Sequence, residues 1–455
     1  MALISKKQLT RTLFAAAGIW LFLFYFGKES HYLGEHYSVL WTIFNGGIIE
    51  SLHFYVRPLE YFAAFLSLKA KFPVWLVFSF LAYVGTSVVT IALSNTLTSD
   101  RTASWWKVLL CSASPVATYM YFQVDMVSQA LANLFTAAFA LGALHCLTLT
   151  DKGQIQRTTW ILVILAVFSV LSKETSYGIM FAGSGVLLLR HRHTVLIPIV
   201  CILLLVAALV GWSLSANTHF DVTPGTHYGF KKNPLYWLFG AVFSVSVALA
   251  PVPTSLVLTG AYSQNAFTLS VVLIGALILI VAVASFLRTR MLGVVCSAIR
   301  QRAPLLCPRN VMLLFMLLSI VPAIFFKISE LYASGMLPFI KAAVIAIISR
   351  DTLAWRQLLW IPFSMAWVLT AAINLLFYAI SSGYDPSKDS RITGPQKAIY
   401  ESIEDASTHQ RTKYSWYSVN MVFAKQRIGS CEISTSNPQV CLPPNIESGF
   451  PSRIP

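Results

Sequence analysis

Carboxylates and cations crowd the segments that separate the apolar runs of this chain. The stretch FGKESHYLGEHYSVLWTIFNGGIIESLHFYVRPLEYF, residues 26–62, holds Glu29, His31, Glu35, His36, Glu50, His53, Arg57 and Glu60. Later polar turns add Asp125, then Lys173 and Glu174, then Asp221, Lys231 and Lys232, then Lys327 and Glu330. A carboxylate can take a proton from an attacking hydroxyl as general base. Arg and Lys can stabilise a phosphate that departs with negative charge. A cleft holding both suits transfer of a group from a phosphate to a hydroxyl.

The elements that must position these residues are apolar. Of 455 residues 56% are hydrophobic and only 11% charged, and the apolar runs approach 20 residues, which reads as membrane-spanning helices. The net charge is +15, but the 33 Lys and Arg are scattered, which favours loops at a membrane surface and argues against a nucleic-acid partner. Neither a phosphate-binding Gly-Lys-Ser/Thr loop, nor a GxGxxG turn, nor an HExxH pair is present.

Basic residues recur between alternate runs: Lys6, Lys7 and Arg11; Arg101 and Lys107; Lys152 and Arg157; Arg190 and Arg192; Arg288, Arg290, Arg300, Arg302 and Arg309; Arg350 and Arg356. Setting all of these in the cytoplasm meets the positive-inside rule. The spans expected are 13–26, 73–94, 105–122, 127–149, 158–172, 175–189, 194–214, 266–287, 310–327, 336–349 and 358–380. The first is an anchor, since no small-residue cleavage site follows it. Residues 39–54 are apolar enough to lie flat as an interfacial helix. Residues 235–260 form a re-entrant or interfacial segment broken at Pro251 and Pro253, because a full crossing would throw the five-arginine block outside. The fold expected is therefore an all-α polytopic membrane protein of about eleven spans. Residues 1–380 are the transmembrane domain and 381–455 a small external tail.

In this topology every outer turn supplies an acid at one membrane face, where a carrier would more often bury such groups at mid-depth. Lys173 and Glu174 mark a tight outer turn between two short helices. At the bilayer centre each charge would cost about 2.5–3.5 kcal/mol, so the interface is the cheaper place. A sugar on a lipid phosphate presents its head group at that depth.

The ordered pieces resemble a family. FYVRPLEYF (54–62) is similar to the aromatic-x-Arg-Pro-Leu element after the first outer loop of many GT-C superfamily membrane glycosyltransferases. SPVATYMYFQVDMVSQALANLFTAAFALG (114–142), VLSKET (170–175) and ISELYASGMLPFI (328–340) resemble later outer turns of that superfamily, in order along about two-thirds of the chain. The chain also resembles the phage-type, serotype-converting O-antigen glucosyltransferases. The resemblance implies a GT-C-like bundle that moves a hexose, glucose above all, from a polyprenyl-phosphate donor to a glycan acceptor at the periplasmic face of a bacterial inner membrane. It also implies a catalytic acid just after the first helix. Where the family has Asp-Asp or Asp-Glu, this chain has KESHYLGEHY, so Glu29 and Glu35 are both candidates. Six residues apart, they do not share a helix face.

Arg57 is either a grip on donor phosphate, through its planar fork, or a clamp on Glu50 or Glu60. Lys173 is a second phosphate candidate, with Asp125, Glu174 and Glu330 as cleft residues; helix capping is the plainer role for Lys173 and Glu174. His31, His36 and His53 match no metal-ligand spacing, and neither a metal nor a cofactor is expected. Tyr414, Trp416 and Tyr417 either stack on an acceptor sugar or form the tail's core. Cys111, Cys146, Cys201, Cys296 and Cys307 read as small buried hydrophobes, whereas Cys431 and Cys441, isolated in the polar tail, suggest a disulfide. A carrier or flippase for a lipid-linked sugar, a protein O-glycosyltransferase and a non-enzymatic assembly subunit are the rival readings.

Overall fold

The structure is a computed structural model that describes residues 4–27, 48, 57–70, 72–97, 105–112, 124, 126–173, 176–215, 237 and 337–350, together with 308, 311–312, 314–316 and 318–319. Among the described residues every regular element is an α-helix: α1 Lys6–Gly27, α2 Pro58–Ala70, α3 Val74–Leu97, α4 Trp105–Ser112, α5 Val127–Cys146, α6 Lys152–Ser172, α7 Tyr177–Ser215 and α8 Leu337–Arg350. Helices α3, α5, α6 and Tyr177–Leu209 of α7 are long and apolar enough to cross a membrane. The chain is thus a helical, candidate multi-pass membrane protein.

Local chemistry sets the helix ends. Ser5 and Gln8 cap α1 reciprocally: Gln8 N–H donates to Ser5 Oγ at 3.2 Å, and Ser5 N–H to Gln8 Oε1 at 3.3 Å. Asp151 caps α6 by accepting from Gln154 N–H at 2.8 Å. That cap explains why α6 begins at Lys152 rather than at 158, where its apolar stretch starts. Its first turns carry exposed Lys152 and Arg157 out beyond the apolar part.

Cross-helix contacts fix the directions. Gln8 Oε1 accepts from Asn95 Nδ2 at 3.2 Å, and Trp20 packs edge-on against Phe80, so α1 and α3 are antiparallel. The Arg11 guanidinium lies 4.9 Å above the Trp105 ring, bringing the start of α4 to the Gln8 end. On the α5–α6 hairpin the pairs Cys146–Thr159, Gly142–Leu162 and Thr136–Ser169 climb one helix as they descend the other. Phe139–Gly183 and Cys146–His191 run in step, so the first part of α7 is parallel to α5.

The core lies among α5, α6 and α7, where Phe139, Leu162, Val170, Met180 and Leu187 are buried, and it extends to Phe339 and Ala342 of α8. Small residues let these helices close up. A Cβ on Gly183 would come within 2.5 Å of the Phe139 ring. The opposite face of α6 exposes Trp160, Ile161, Ile164 and Phe168, an apolar stripe suited to lipid. Cys201, expected inside, is exposed on α7.

Residues 175–189 and 194–214 were expected as separate spans, and two helices do meet at His191, where the backbone is non-helical (φ −129°, ψ 32°) within the 39-residue run Tyr177–Ser215. At 1.5 Å per residue that run would measure about 58 Å if straight, near twice a bilayer's ~30 Å core, so the His191 break divides it. The break falls at Arg-His-Arg-His, and His191 Nε2 is bonded to Cys146 O at 3.2 Å. One expectation changes: the loop expected through residue 62 already becomes helix at Pro58.

Candidate functional site

The start of α2 follows from Arg-Pro-Leu-Glu. Pro58 sits at the first helical position, where no N–H is needed, and Glu60 lies in the first turn, where a negative charge suits the helix dipole. Arg57 O accepts from Glu60 N–H at 3.0 Å and Tyr61 N–H at 3.3 Å. At the other end Lys69, exposed, lies in the last turn beside the Phe65 ring. There its positive charge complements the C-terminal end of α2. Ser67 Oγ accepts from Trp75 N–H at 3.2 Å and joins α2 to α3.

Arg57 turns inward. Its Nη1 lies 3.9 Å from Glu60 Oε2, with the two side chains 9% and 1% exposed. Of the alternatives read from the sequence, the clamp on Glu60 is present. It holds the guanidinium at the N-terminal end of α2, which packs on α3, α5 and α6.

Lys173 belongs to α6. It is the C-cap residue, with extended backbone, and its N–H donates to Ser169 O at 3.2 Å. Its own carbonyl accepts from Ser176 N–H at 3.3 Å and Ser176 Oγ at 2.8 Å. The tight turn expected between two helices is therefore built by backbone and serine hydroxyls. The Lys173 residue is 3% exposed and so lies inside the protein.

A neutral polar stripe runs along the first three turns of α5. Ser128, Gln129, Asn133 and Thr136 are all buried. Gln129 Nε2 donates to Asn133 Oδ1 at 2.8 Å, and Thr136 Oγ1 shares a 2.7 Å hydrogen bond with Ser169 Oγ of α6. Carried about two turns up the hairpin register, Gln129 lies level with the 173–176 turn and Asn133 with Ser172.

Two further buried cations had a weaker sequence signal. Lys107, assigned from the sequence to a basic loop, is in the first turn of α4 and 1% exposed. Lys341 of α8 is 5% exposed, and its Nζ donates to Cys111 O at 3.4 Å. Tyr83 of α3 donates to the next carbonyl, Ser112 O. A lone lysine inside the apolar run LPFIKAAVIAIIS was the available signal for Lys341.

Glu29, Glu35, Asp125, Glu174, Glu330, Cys431 and Cys441 lie outside the described residues, as do the whole tail and residues 235–260 apart from Trp237. Among the described residues no group of three His, Cys, Asp or Glu side chains could hold a metal ion. The described part therefore buries Arg57 beside Glu60, Lys173 at the end of α6, and a neutral polar stripe on α5. The chain matches no protein-family model, no curated protein and no solved structure.

Proposed function

We propose that this protein is a membrane glycosyltransferase. It moves a hexose, with glucose the expected sugar, from a polyprenyl-phosphate donor to a polysaccharide such as O-antigen, at the periplasmic face of a bacterial inner membrane. The observation that carries this reading is the inward burial of Arg57 and Lys173, on two packed elements of a membrane-type helical bundle. Those are the two cations chosen from the sequence to bind donor phosphate. In a site from which water is withdrawn, their charge acts far more strongly on a leaving phosphate than it would in water.

In the reaction, a carboxylate of the first outer loop, Glu29 or Glu35, takes the proton of an acceptor hydroxyl. The freed oxygen attacks the anomeric carbon, the bond from that carbon to the phosphate oxygen breaks, and the lipid phosphate departs with the electron pair. One displacement inverts the anomeric centre. Arg57 and Lys173 meet the charge that develops, with Glu60 as the positioning residue for Arg57. The full reading keeps eleven spans, a periplasmic tail and Asp125, Glu174 and Glu330 around the cleft.

The test is purified full-length protein with polyprenyl-phosphate-glucose, with and without acceptor glycan. Donor should be consumed only with acceptor, and Glu29→Gln or Glu35→Gln should lower turnover by about 10²–10⁴-fold. Normal turnover in both variants would remove the first-loop base.

One observation favours a carrier instead. Lys107 and Lys341 are buried within the bundle, as a pathway for an anionic head group would require. Glucosyl lipid moved across liposomes with no new glycosidic bond would establish that reading.

A further inference from the structure

Gln129 is completely buried, and it has one amide atom with no protein partner. Its Nε2 donates to Asn133 Oδ1, while Oε1 accepts nothing. Burying such a group unpaired costs stability that an apolar residue of similar size would not lose. The hydroxyls nearest in the hairpin register are already committed. Ser172 Oγ donates to Phe168 O at 2.6 Å, and Ser176 Oγ donates to Lys173 O at 2.8 Å.

We propose that Gln129 and Asn133, level with Lys173, form a subsite that recognises a hydroxyl of the sugar carried on the lipid phosphate. This rests on the lipid-phosphate reading above and adds the part of the ligand that the cations do not address. A carbonyl oxygen repels phosphate oxygens, so the amide suits the sugar end of the donor. If both amides are turned over, Gln129 presents an unpaired N–H instead of an unpaired oxygen. A hydroxyl, which both donates and accepts, satisfies either arrangement. A site built to pair a hydroxyl rejects an analogue that lacks it, because its own buried group is then left without a partner.

The experiment uses full-length protein in nanodiscs and direct binding measurements. The probes are polyprenyl phosphate, its glucosyl form and the four monodeoxyglucosyl analogues. The wild type should bind at least one monodeoxy form about tenfold or more weakly than the glucosyl form. Gln129→Met should narrow that difference to about twofold while leaving affinity for polyprenyl phosphate unchanged, since the amide does not touch the phosphate. Gln129→Asn, which shortens the amide by one methylene and stays polar, should narrow it too, and serves if the Met variant does not fold. Equal binding of all analogues by the wild type would mean a trapped water is the partner and would overturn the proposal, leaving the phosphate reading in place. So would unchanged discrimination in the variants. Failure of the wild type to bind either polyprenyl phosphate or its glucosyl form would remove the phosphate reading and the subsite together.

Discussion

Arg57 and Glu60 face each other across 3.9 Å at the first turn of α2, both almost wholly buried. The pair is close enough for strong attraction, yet attraction alone is weak evidence of stabilisation, because both charges were taken from water. What it does secure is position, since the Glu60 backbone N–H is also bonded to Arg57 O.

The pair allows a structural role to be separated from phosphate binding. Arg57→Ala leaves the Glu60 carboxylate buried without that guanidinium, and should destabilise by about 3–5 kcal/mol. Arg57→Ala with Glu60→Gln removes both charges and should recover most of that loss in thermal unfolding. Donor consumption should stay low in the double variant if Arg57 meets phosphate. Arg57→Lys keeps the charge but not the fork, and should transfer sugar almost as poorly as Arg57→Ala. Full activity in the double variant would reduce Arg57 to a clamp.

Gly183 should tolerate no larger residue. Its neighbour is the edge of the fully buried Phe139 ring, which is rigid and cannot fold aside. Gly183→Val should destabilise by about 1–3 kcal/mol through overpacking. Adding Phe139→Leu should restore part of it. Thermal unfolding in one detergent, across wild type, single and double variants, gives the coupling.

How far the sequence led is clear from these helices. Hydropathy located Val74–Leu97 and Val127–Cys146 to within three residues and the end of Lys152–Ser172, though not its polar first turns, because lipid and protein interior select the same apolar side chains. For the same reason it could not distinguish the lipid face of α6 from the face on α5, and it left Cys201 on the wrong side. Pro58–Ala70 was missed because its 13 residues are too few to span a bilayer and its signal is the Arg-Pro-x-Glu start. Arg57 and Lys173 were legible as candidate phosphate ligands by type and setting. Gln129 was not, since a buried amide is defined by what surrounds it, and that requires the α5–α6 register.

Thr136 and Ser169 give a measure of how little a buried hydrogen bond contributes between membrane helices. Their oxygens lie 2.7 Å apart in the interior. A double-mutant cycle with Thr136→Val and Ser169→Ala should give a coupling of about 0.6 kcal/mol, because the unfolded chain in a membrane also finds partners. A coupling above about 2 kcal/mol would mean that this bond anchors the hairpin rather than trims it.

Sidedness decides whether the acidic turns are periplasmic. Exposed Lys152, Arg157, Arg190 and Arg192 gather around Cys146, where α5, α6 and α7 meet, and exposed Lys6 and Lys7 lie at the Asn95 end of α3. Short basic segments of this kind are retained in the cytoplasm. Cys201 is exposed on the apolar part of α7 and is changed to Ser, so that every label reports the introduced or tail cysteines. In that background Lys152→Cys should react with an impermeant maleimide only after the membrane is opened. Cys431 and Cys441 should react from the periplasm, and only after reduction. Their disulfide would restrict the unfolded tail by roughly 3 kcal/mol in the chain-entropy model, a useful amount for a polar segment with little apolar residue to bury. The tail's eight Lys and Arg oppose export, but a segment of this length translocates largely regardless of charge. Reaction of Lys152→Cys in intact cells, with both tail cysteines reacting only from the cytoplasm, would invert the bundle. The acidic turns would then face the cytoplasm, and a periplasmic acceptor could not reach them.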